Sequence, residues 1–469
     1  LRVLWLSNGP LVKSGYGTVT RHVLRGLAGS KHEVICYGNT DASYITYEGI
    51  PVLPNLANSP EGMWKCYYRR FKPDILVTLI DVWALESVPR ECPVWCAYHP
   101  LDSLPSEAVL SRLRKACWVV VPTKWAVETL KEHGIKAHYI PHGVDPGVFR
   151  PLDRRECKDR FGLGGAWVVG VVAMNKGERK GIREAIEAFR IFVDGNPDAK
   201  DAVLYLHTNE VPAVGGVDVH RLVVESGLTG RVAVTDFADW AVGFDDATMA
   251  RLYNAFDVLL LPSRGEGFGL PLLEAQACGT PVITTAFAGG GEVARFGWVV
   301  RPDGYISTDI GVFANPSPER FADALSEAYN HGQPAKNLDW IAEYSWDRVV
   351  AMWGGFLDRV DEERSAPEDH SRPRFDGSGA HFEEADVDVL GTVGRSRKYD
   401  WVYTEILHRV WEPEVLLAKL RSIADRVYVW LPDPGVRDPK AKWRIDPLTL
   451  GPLRMERRGS GWLLELAGL

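Results

Sequence analysis

With 469 residues, 46% of them hydrophobic and 25% charged, the chain has an ordinary globular balance and enough length for two or three domains with sizeable cores. A formal net charge of −8 without a basic run argues against a broad nucleic-acid surface. There is no apolar stretch of bilayer length and no charged-then-apolar leader, so the expectation is a cytoplasmic protein without a transmembrane segment.

The chain opens on an apolar run, 2–6, then Gly9-Pro10 and Ser14-Gly15-Tyr16-Gly17, then a helical pattern over 18–27. This is a strand, glycine loop, helix unit, but its spacing is not that of Gly-x-Gly-x-x-Gly, and Gly-Tyr-Gly alone is also a tight turn. Further strands are expected at 33–37, 75–79, 94–98, 118–121 and 138–140 with helical stretches between them. Such alternation gives a parallel sheet covered on both faces, whose ligands bind beyond the strand C-terminal ends. Tyr98-His99-Pro100-Leu101-Asp102 falls at such an end, which makes His99, and after it Asp102, candidates for a site. A lone His is more often a structural hydrogen-bonding group. An amphipathic helix is expected at 124–133, and Pro141-His142-Gly143-Val144-Asp145 leads into a Pro- and charge-rich stretch where a hinge is expected between about 144 and 159. His142 reads as hinge architecture.

The second half begins with 167–174, too continuously apolar for an exposed strand, followed by Asn175-Lys176-Gly177-Glu178-Arg179-Lys180-Gly181 and an amphipathic helix over 182–193. Lys and Arg at a strand end can neutralise a diphosphate, Arg through its planar fork and Lys as a point charge, although a solvated basic turn has the same composition. A strand at 204–208 precedes a loop at 209–217 that is placed to line a nucleobase, and a helix at 249–256 leads to the stretch around which the chain is organised. There the strand 257–261 is followed by Ser263-Arg264-Gly265-Glu266-Gly267-Phe268-Gly269-Leu270-Pro271-Leu272-Leu273-Glu274-Ala275 and, after Gly279-Thr280, by another strand at 281–285. Pro271 suits a first helical turn and Gly279 a stop, so the helix between them is barely two turns long. Its N-terminus leaves the N–H groups of Gly267, Phe268, Gly269 and Leu270 free to meet an anion, with the positive end of the helix dipole behind them. Glu266 and Glu274 flank that anion site, and carboxylates accept from hydroxyls. A sugar nucleotide satisfies both demands, with phosphates in the middle and one Glu on the sugar, the other on the ribose. Taken singly, Glu274 is also explained as a dipole complement and Glu266 as a solvated loop acid. Together with the glycines, Pro271 and the Ala-Cys-Gly-Thr-Pro-Val-Ile exit, the ligand reading is preferred. Ala288-Gly289-Gly290-Gly291 is expected to be a flexible loop or a place of close backbone approach.

Glu266 and Glu274 within Glu-Gly-Phe-Gly-Leu-Pro-Leu-Leu-Glu-Ala resemble the two-glutamate motif of the family 4 retaining glycosyltransferases of GT-B fold. The likeness runs over roughly residues 1–362. It implies an α/β architecture of two Rossmann-like domains facing across a cleft, a nucleotide-sugar donor, no cofactor and no obligatory metal. It further implies that Glu266 and His99 serve the transferred sugar, that Gly15 and Gly17 face the donor across the cleft, and that Lys180 of Lys180-Gly181 binds the diphosphate beside Gly267, Phe268, Gly269, Leu270 and Glu274. The family's usual Arg five residues before that Lys is here Asn175, and Arg179 is expected to supply the second positive charge. The implied activity is transfer of a hexosyl unit to an acceptor hydroxyl, with a sugar-nucleotide hydrolase or epimerase, or a non-catalytic nucleotide-sugar-binding subunit, as alternatives. The acceptor is a glycan, a lipid-linked sugar or a small molecule, and a nucleic acid is not excluded.

These readings divide the chain into an acceptor-side domain at 1–148, a donor domain at 149–340, a helix crossing back at 341–362, a linker at 363–397 and a small α/β accessory module at 398–469. The module's strand, helix, strand order (399–403, 411–424, 426–431) is similar to the later half of an adenosylmethionine-dependent methyltransferase domain without its cofactor-binding half, so no methyl transfer is expected. The seven Cys include no Cys-x-x-Cys pair, which suits reduced, mostly buried thiols, and seventeen Trp imply heavy aromatic packing.

Overall fold

The computed structural model of the chain describes residues 1–38, 43–55, 64–85, 94–210, 215–332, 337–365, 379–382, 401–404, 426–432, 453–458 and 461–467. Its first strand, β1 (Arg2–Ser7), is buried at every position but Arg2, as a run covered on both faces must be. It is followed by α1 (Gly15–Leu27), β2 (Glu33–Gly38), β3 (Ile45–Tyr47), β4 (Ile50–Pro54), α2 (Trp64–Phe71), β5 (Ile75–Leu79), β6 (Trp95–Tyr98), β7 (Leu104–Pro105), α3 (Glu107–Leu113), β8 (Trp118–Val121), α4 (Lys124–Glu132) and β9 (Ala137–Tyr139). All of these strands but β7 form one sheet, ordered β3-β4-β2-β1-β5-β6-β8-β9. Every neighbour pair in it is parallel except β3 with β4. The β3–β4 hairpin was not foreseen, because its three-residue strand is only half-buried and carries no clear alternation.

After α5 (Arg154–Arg160), a second sheet is laid down by β10 (Trp167–Val172), α6 (Ile182–Gly195), β11 (Ala202–His207), α7 (Val219–Glu225), β12 (Val232–Val234), α8 (Phe237–Val242), α9 (Asp246–Ala255), β13 (Val258–Leu261), α10 (Leu270–Ala277), β14 (Val282–Thr285), α11 (Ala288–Val293) and β15 (Gly297–Val300). Its order is β12-β11-β10-β13-β14-β15, wholly parallel. The strand order reverses at β10 and β13. Ligands of sheets with this order bind outside the C-terminal ends of the two strands at the reversal, where the connections 173–181 and 262–269 begin here. In the first sheet the same reversal falls between β1 and β5. The expected loop over the glycine triplet is instead the helix α11: the amide of Gly289 donates to the carbonyl of Glu266, and that of Gly291 to Phe287.

A hairpin and the last helix help join the sheets. A hairpin, β16 (Gly304–Ser307) and β17 (Gly311–Asn315), lies between β15 and α12 (Pro318–His331), and β17 pairs antiparallel with β7 from the first half of the chain. The last helix, α13 (Trp346–Ser365), returns to the first sheet, where Trp353 is buried edge-on against Trp5 and Tyr98 at ring distances of 5.1 and 5.0 Å. Part of the aromatic content is spent on this seam. Of the described cysteines, Cys36, Cys96, Cys157 and Cys278 are buried while Cys66 and Cys117 are exposed. No helix among the described residues is long and apolar enough to cross a membrane.

Residues 366–469 form a unit of their own. Its sheet contains β18 (Gly379–Phe382), β19 (Trp401–Thr404), β20 (Arg426–Pro432), β21 (Leu453–Arg458) and β22 (Gly461–Ala467) in the order β18-β19-β20-β22-β21. The first three strands are parallel, and β22 is antiparallel to both of its neighbours. Strand β18 falls inside the stretch read as linker, a correction: its four residues sit among Pro, Gly and charged neighbours that mask so short a segment. The expected helix at 411–424 lies outside the described residues, as does Cys92.

Candidate functional site

The strand-to-helix connection at 262–269 is shaped by what it packs against. A side chain on Gly265 would stand 1.9 Å from the carbonyl oxygen of Asp102, and one on Gly267 2.5 Å from that of Pro100. Only glycine lets this loop lie flush on the loop that follows β6. Gly269 then caps α10 in the left-handed conformation, φ 93°, with Pro271 in the first turn. The amides of Gly267, Phe268, Gly269 and Leu270 donate no hydrogen bond among the described residues, although all four residues are buried. Buried donors of that kind call for a partner.

Glu266 sits at the front of these amides, 6% exposed. Lys180 Nζ donates to both of its oxygens at 2.7 and 2.8 Å, and Ser263 Oγ donates at 2.6 Å. Arg179 donates to the carbonyl of Gly265 at 2.7 Å and stands 3.8 Å from the Glu266 carboxylate. The same guanidinium lies 3.3 Å from Asp102. Burial pushes the Glu266 carboxyl up, but Lys180 and then Arg179 outweigh it and hold the group below the usual carboxylate range. Asp102 has less help: burial raises it to about 6 despite Arg179, with Asp81 adding to the rise.

On the first-sheet side, His99 is 3% exposed and burial lowers its pKa to about 4, so the imidazole is neutral at pH 7. One ring nitrogen bonds to the Ile80 backbone, and Nδ1 has no partner. Tyr16 donates to Asp81 Oδ1 at 2.9 Å. Asp81 is itself raised by burial, against the field of Arg179, Lys176 and Lys180.

Glu274 is one turn into α10, where it accepts from Tyr253 at 2.8 Å. Burial lifts it to about 8, with Asp246 raising and Arg21 lowering it. Arg21 of α1 grips both oxygens of Asp246 of α9 at 2.9 and 3.0 Å, so the acid faces a contact between the two sheets.

Of the residues named from sequence, Glu266, Arg179, Lys180 and Asp102 form one polar centre linked by ion pairs, with His99 close enough to Asp102 to act on its charge, while the 267–270 amides precede α10 and Glu274 lies within it. Gly15 and Gly17 are not in a loop as expected, since Ser14 accepts from the Gly17 amide and starts α1 at Gly15. Gly15 stands opposite Leu270, 3.8 Å from where its Cβ would be, whereas Gly17 is held by the loop beneath it, its Cβ position 2.1 Å from the Val12 carbonyl oxygen. Asn175, the departure from the family pattern, is fully buried and does not face this centre. Its side chain donates to the carbonyls of Asn209 and Val217 and accepts from the Val217 amide, clasping the ends of the 209–217 loop. Residues 211–214 of that loop are outside the described residues. His142 is buried against Phe268 and Tyr98 at ring distances of 4.9 and 5.7 Å, with neither ring nitrogen partnered. Sequence reasoning missed Asp81, Tyr16, Ser263, Arg21 and Asp246. Only Asp81 carried a signal, its position immediately beyond a buried strand. Among the described residues no group of three or more His, Cys, Asp or Glu is arranged to hold a metal ion.

This geometry and the paired sheets define the class as GT-B. Solved structures agree on the fold: a sucrose-phosphate synthase from Thermosynechococcus elongatus superposes with a TM-score of 0.61 at 18% identity, over 77% of this chain and 99% of that one. The Anabaena protein HepE in complex with UDP and glucose does so with a TM-score of 0.57 at 16% identity, over 76% and 99%. Residues 166–331 match the family model described as Glycosyl transferases group 1. The chain is 30% identical over 237 residues to a D-inositol 3-phosphate glycosyltransferase of Actinosynnema mirum, covering 49% of this chain and 54% of that protein. It is 29% identical over 252 residues to a mannosylfructose-phosphate synthase of Agrobacterium fabrum, covering 50% and 52%. The chain thus spans about half the length of the curated relatives it matches.

Proposed function

We propose that the chain is a retaining glycosyltransferase that moves a sugar from a nucleotide-sugar donor to an acceptor hydroxyl, with the donor as co-substrate and without a metal or other cofactor. The observation that carries this reading is the arrangement at residues 263–270: four amides at a helix start with no hydrogen-bond partner among the described residues, with Lys180 and Arg179 on the adjoining charged Glu266. The amides and cations suit a diphosphate, while Glu266, and Glu274 further along, suit hydroxyls on the rings to either side. The matching domain and the nucleotide-bound neighbour support the same ligand class.

The barrier in such a transfer is heterolysis of the anomeric bond, so a site gains most by stabilising charge as it develops on the departing diphosphate. Lys180, Arg179 and the amides of 267–270 are the groups assigned to that task. The acceptor oxygen attacks the anomeric carbon on the face from which the diphosphate departs. The carbon–oxygen bond to the diphosphate breaks, and the acceptor's proton passes to the departing phosphate oxygen, which leaves the anomeric configuration retained. Glu266 orients sugar hydroxyls and does not attack, because Lys180 and Ser263 already engage its oxygens. Neutral His99 is a hydrogen-bonding group to the sugar, not an acid.

The test is a thermal-shift panel of uridine, guanosine and adenosine diphosphate sugars, followed by product analysis with the sugar that stabilises the protein most. Glu266→Gln keeps the side chain's shape and is expected to lower kcat by roughly a hundredfold or more with the melting curve still cooperative. Unaltered turnover removes Glu266 from the site. Free sugar or an altered nucleotide sugar as sole product favours the hydrolase or epimerase reading, and tight donor binding without turnover favours a binding subunit.

A further inference from the structure

We infer that Arg264 is a positioning residue for donor binding, one that holds the loop carrying Arg179 and Lys180 in register with Glu266 through contacts the donor does not claim; this rests on the glycosyltransferase reading above. The 173–181 and 262–269 connections are tied in two ways. Some ties are made by the cations themselves: Lys180 Nζ donates to both oxygens of Glu266, and the Arg179 side chain donates to the carbonyl of Gly265 at 2.7 Å. Others belong to Arg264. Its amide donates to the carbonyl of Arg179 at 2.8 Å, and its guanidinium stands 2.9 Å from the Glu178 carboxylate and donates to Glu184 of α6 at 3.1 Å. The residue is anchored in turn, since its carbonyl accepts from the amide of Ala314 at 2.9 Å.

A ligand acts differently on the two kinds of tie. A diphosphate at Lys180 and Arg179 draws on the N–H groups that Glu266 and the Gly265 carbonyl now take, as charge-assisted hydrogen bonds to phosphate do. Ties made by those side chains therefore loosen as the donor arrives, while the peptide and glutamate contacts of Arg264 persist. The next position leaves little slack: a side chain on Gly181, φ 66°, would stand 2.0 Å from the Pro262 carbonyl oxygen. A shift of the Arg179 peptide would displace both cations from the diphosphate, and binding groups misplaced by about 1 Å lose much of their effect. Stability alone does not account for the arrangement. Glu184 is 9% exposed, and Arg264 Nε is buried without a hydrogen-bond partner among the described residues, a cost an apolar side chain avoids. Well-packed apolar residues often match or exceed a buried ion pair in stability, but they do not grip Glu178 and Glu184 at once. The two glutamates also balance the guanidinium's charge, so its influence on the donor is geometric.

The experiment is a double-mutant cycle read as donor Kd by calorimetry on the full chain, with the nucleotide sugar that gives the largest thermal shift. Arg264→Met keeps a long unbranched side chain and removes the ion pairs. Its Kd should weaken about tenfold in the unaltered background and by a smaller factor, about threefold, in Lys180→Gln, where one of the two cations it places is gone. A role in stability alone predicts a lower melting temperature with an unaltered Kd, and that result overturns the inference. So does weakening by the same factor in both backgrounds. If Arg264→Met does not melt cooperatively, Glu178→Gln combined with Glu184→Gln breaks the same contacts from the other side and carries the cycle with the same outcomes. Full donor affinity in Lys180→Gln overturns the inference together with the diphosphate assignment. Failure of the unaltered chain to bind any nucleotide sugar overturns the glycosyltransferase reading itself.

Discussion

At the scale of single residues, the two glutamates of the motif are held in opposite states. Glu266 is kept ionised by Lys180 and Arg179, while Glu274, which among the described residues takes only the Tyr253 hydroxyl, is raised by burial to about 8. Because the folded-state pKa of Glu274 lies above its ordinary value of 4.5, the stability it contributes is fully present below about 4.5 and is lost as pH rises through about 8. Glu274→Gln removes that titration. Melting temperatures measured across this range are therefore expected to fall less with rising pH in the variant than in the unaltered protein, and parallel curves would show that Glu274 is not raised. The two-glutamate spacing and Pro271 were legible in the sequence because each follows from local chemistry, a pair of acceptors and a helix start, whereas Lys180-Gly181 was singled out by its resemblance to the family's motif. Asp81 and Tyr16 were not, since they lie 65 positions apart and only the sheet order brings them together. Asn175 was noticed as an absent charge, and its work as a clasp on the 209–217 loop depends on contacts no spacing reveals.

Among the elements, the β16–β17 hairpin has a role that its modest sequence conceals. Its strand β17 pairs with β7 two residues beyond Asp102, and its Ala314 amide donates to the carbonyl of Arg264 at the root of the Glu266 loop. Gly311 allows this, for a side chain there would stand 2.4 Å from the Leu104 carbonyl oxygen and 2.5 Å from Ser103 Oγ. The hairpin thus ties the two loops whose side chains meet at Arg179. Gly311→Val is expected to break the β7 pairing at a cost of roughly 1–3 kcal/mol, with hydrogen exchange faster at 104–106 and 310–312 while the two main sheets remain protected. Unchanged exchange there would mean the pairing does not hold the loops. The parallel strands and their helices were legible because buried runs and amphipathic stretches alternate. The hairpin was not, since β16 has an exposed Tyr305 and no buried run, and β17 gains its outer partner β7 only through the tertiary fold.

At the scale of the larger unit, residues 1–365, each main sheet has one strand-order reversal, and the cations Arg179 and Lys180 from the second half of the chain meet the acids Glu266 and Asp102. Contacts between the sheets are both polar and apolar: Arg21 with Asp246, Glu292 on the first amides of α4 and β17 on β7, beside aromatic pairs such as Trp125 with Phe287 and His142 with Phe268 within a buried cluster that draws on both sheets. The central claim is that a diphosphate occupies the space between the α10 amides and Lys180. Calorimetric titration of the best-stabilising nucleotide sugar into the unaltered chain and into Lys180→Gln tests it most directly. The expected result is a Kd weakened by about tenfold or more in the variant, with folding retained. Equal affinity in the two proteins would contradict the assignment.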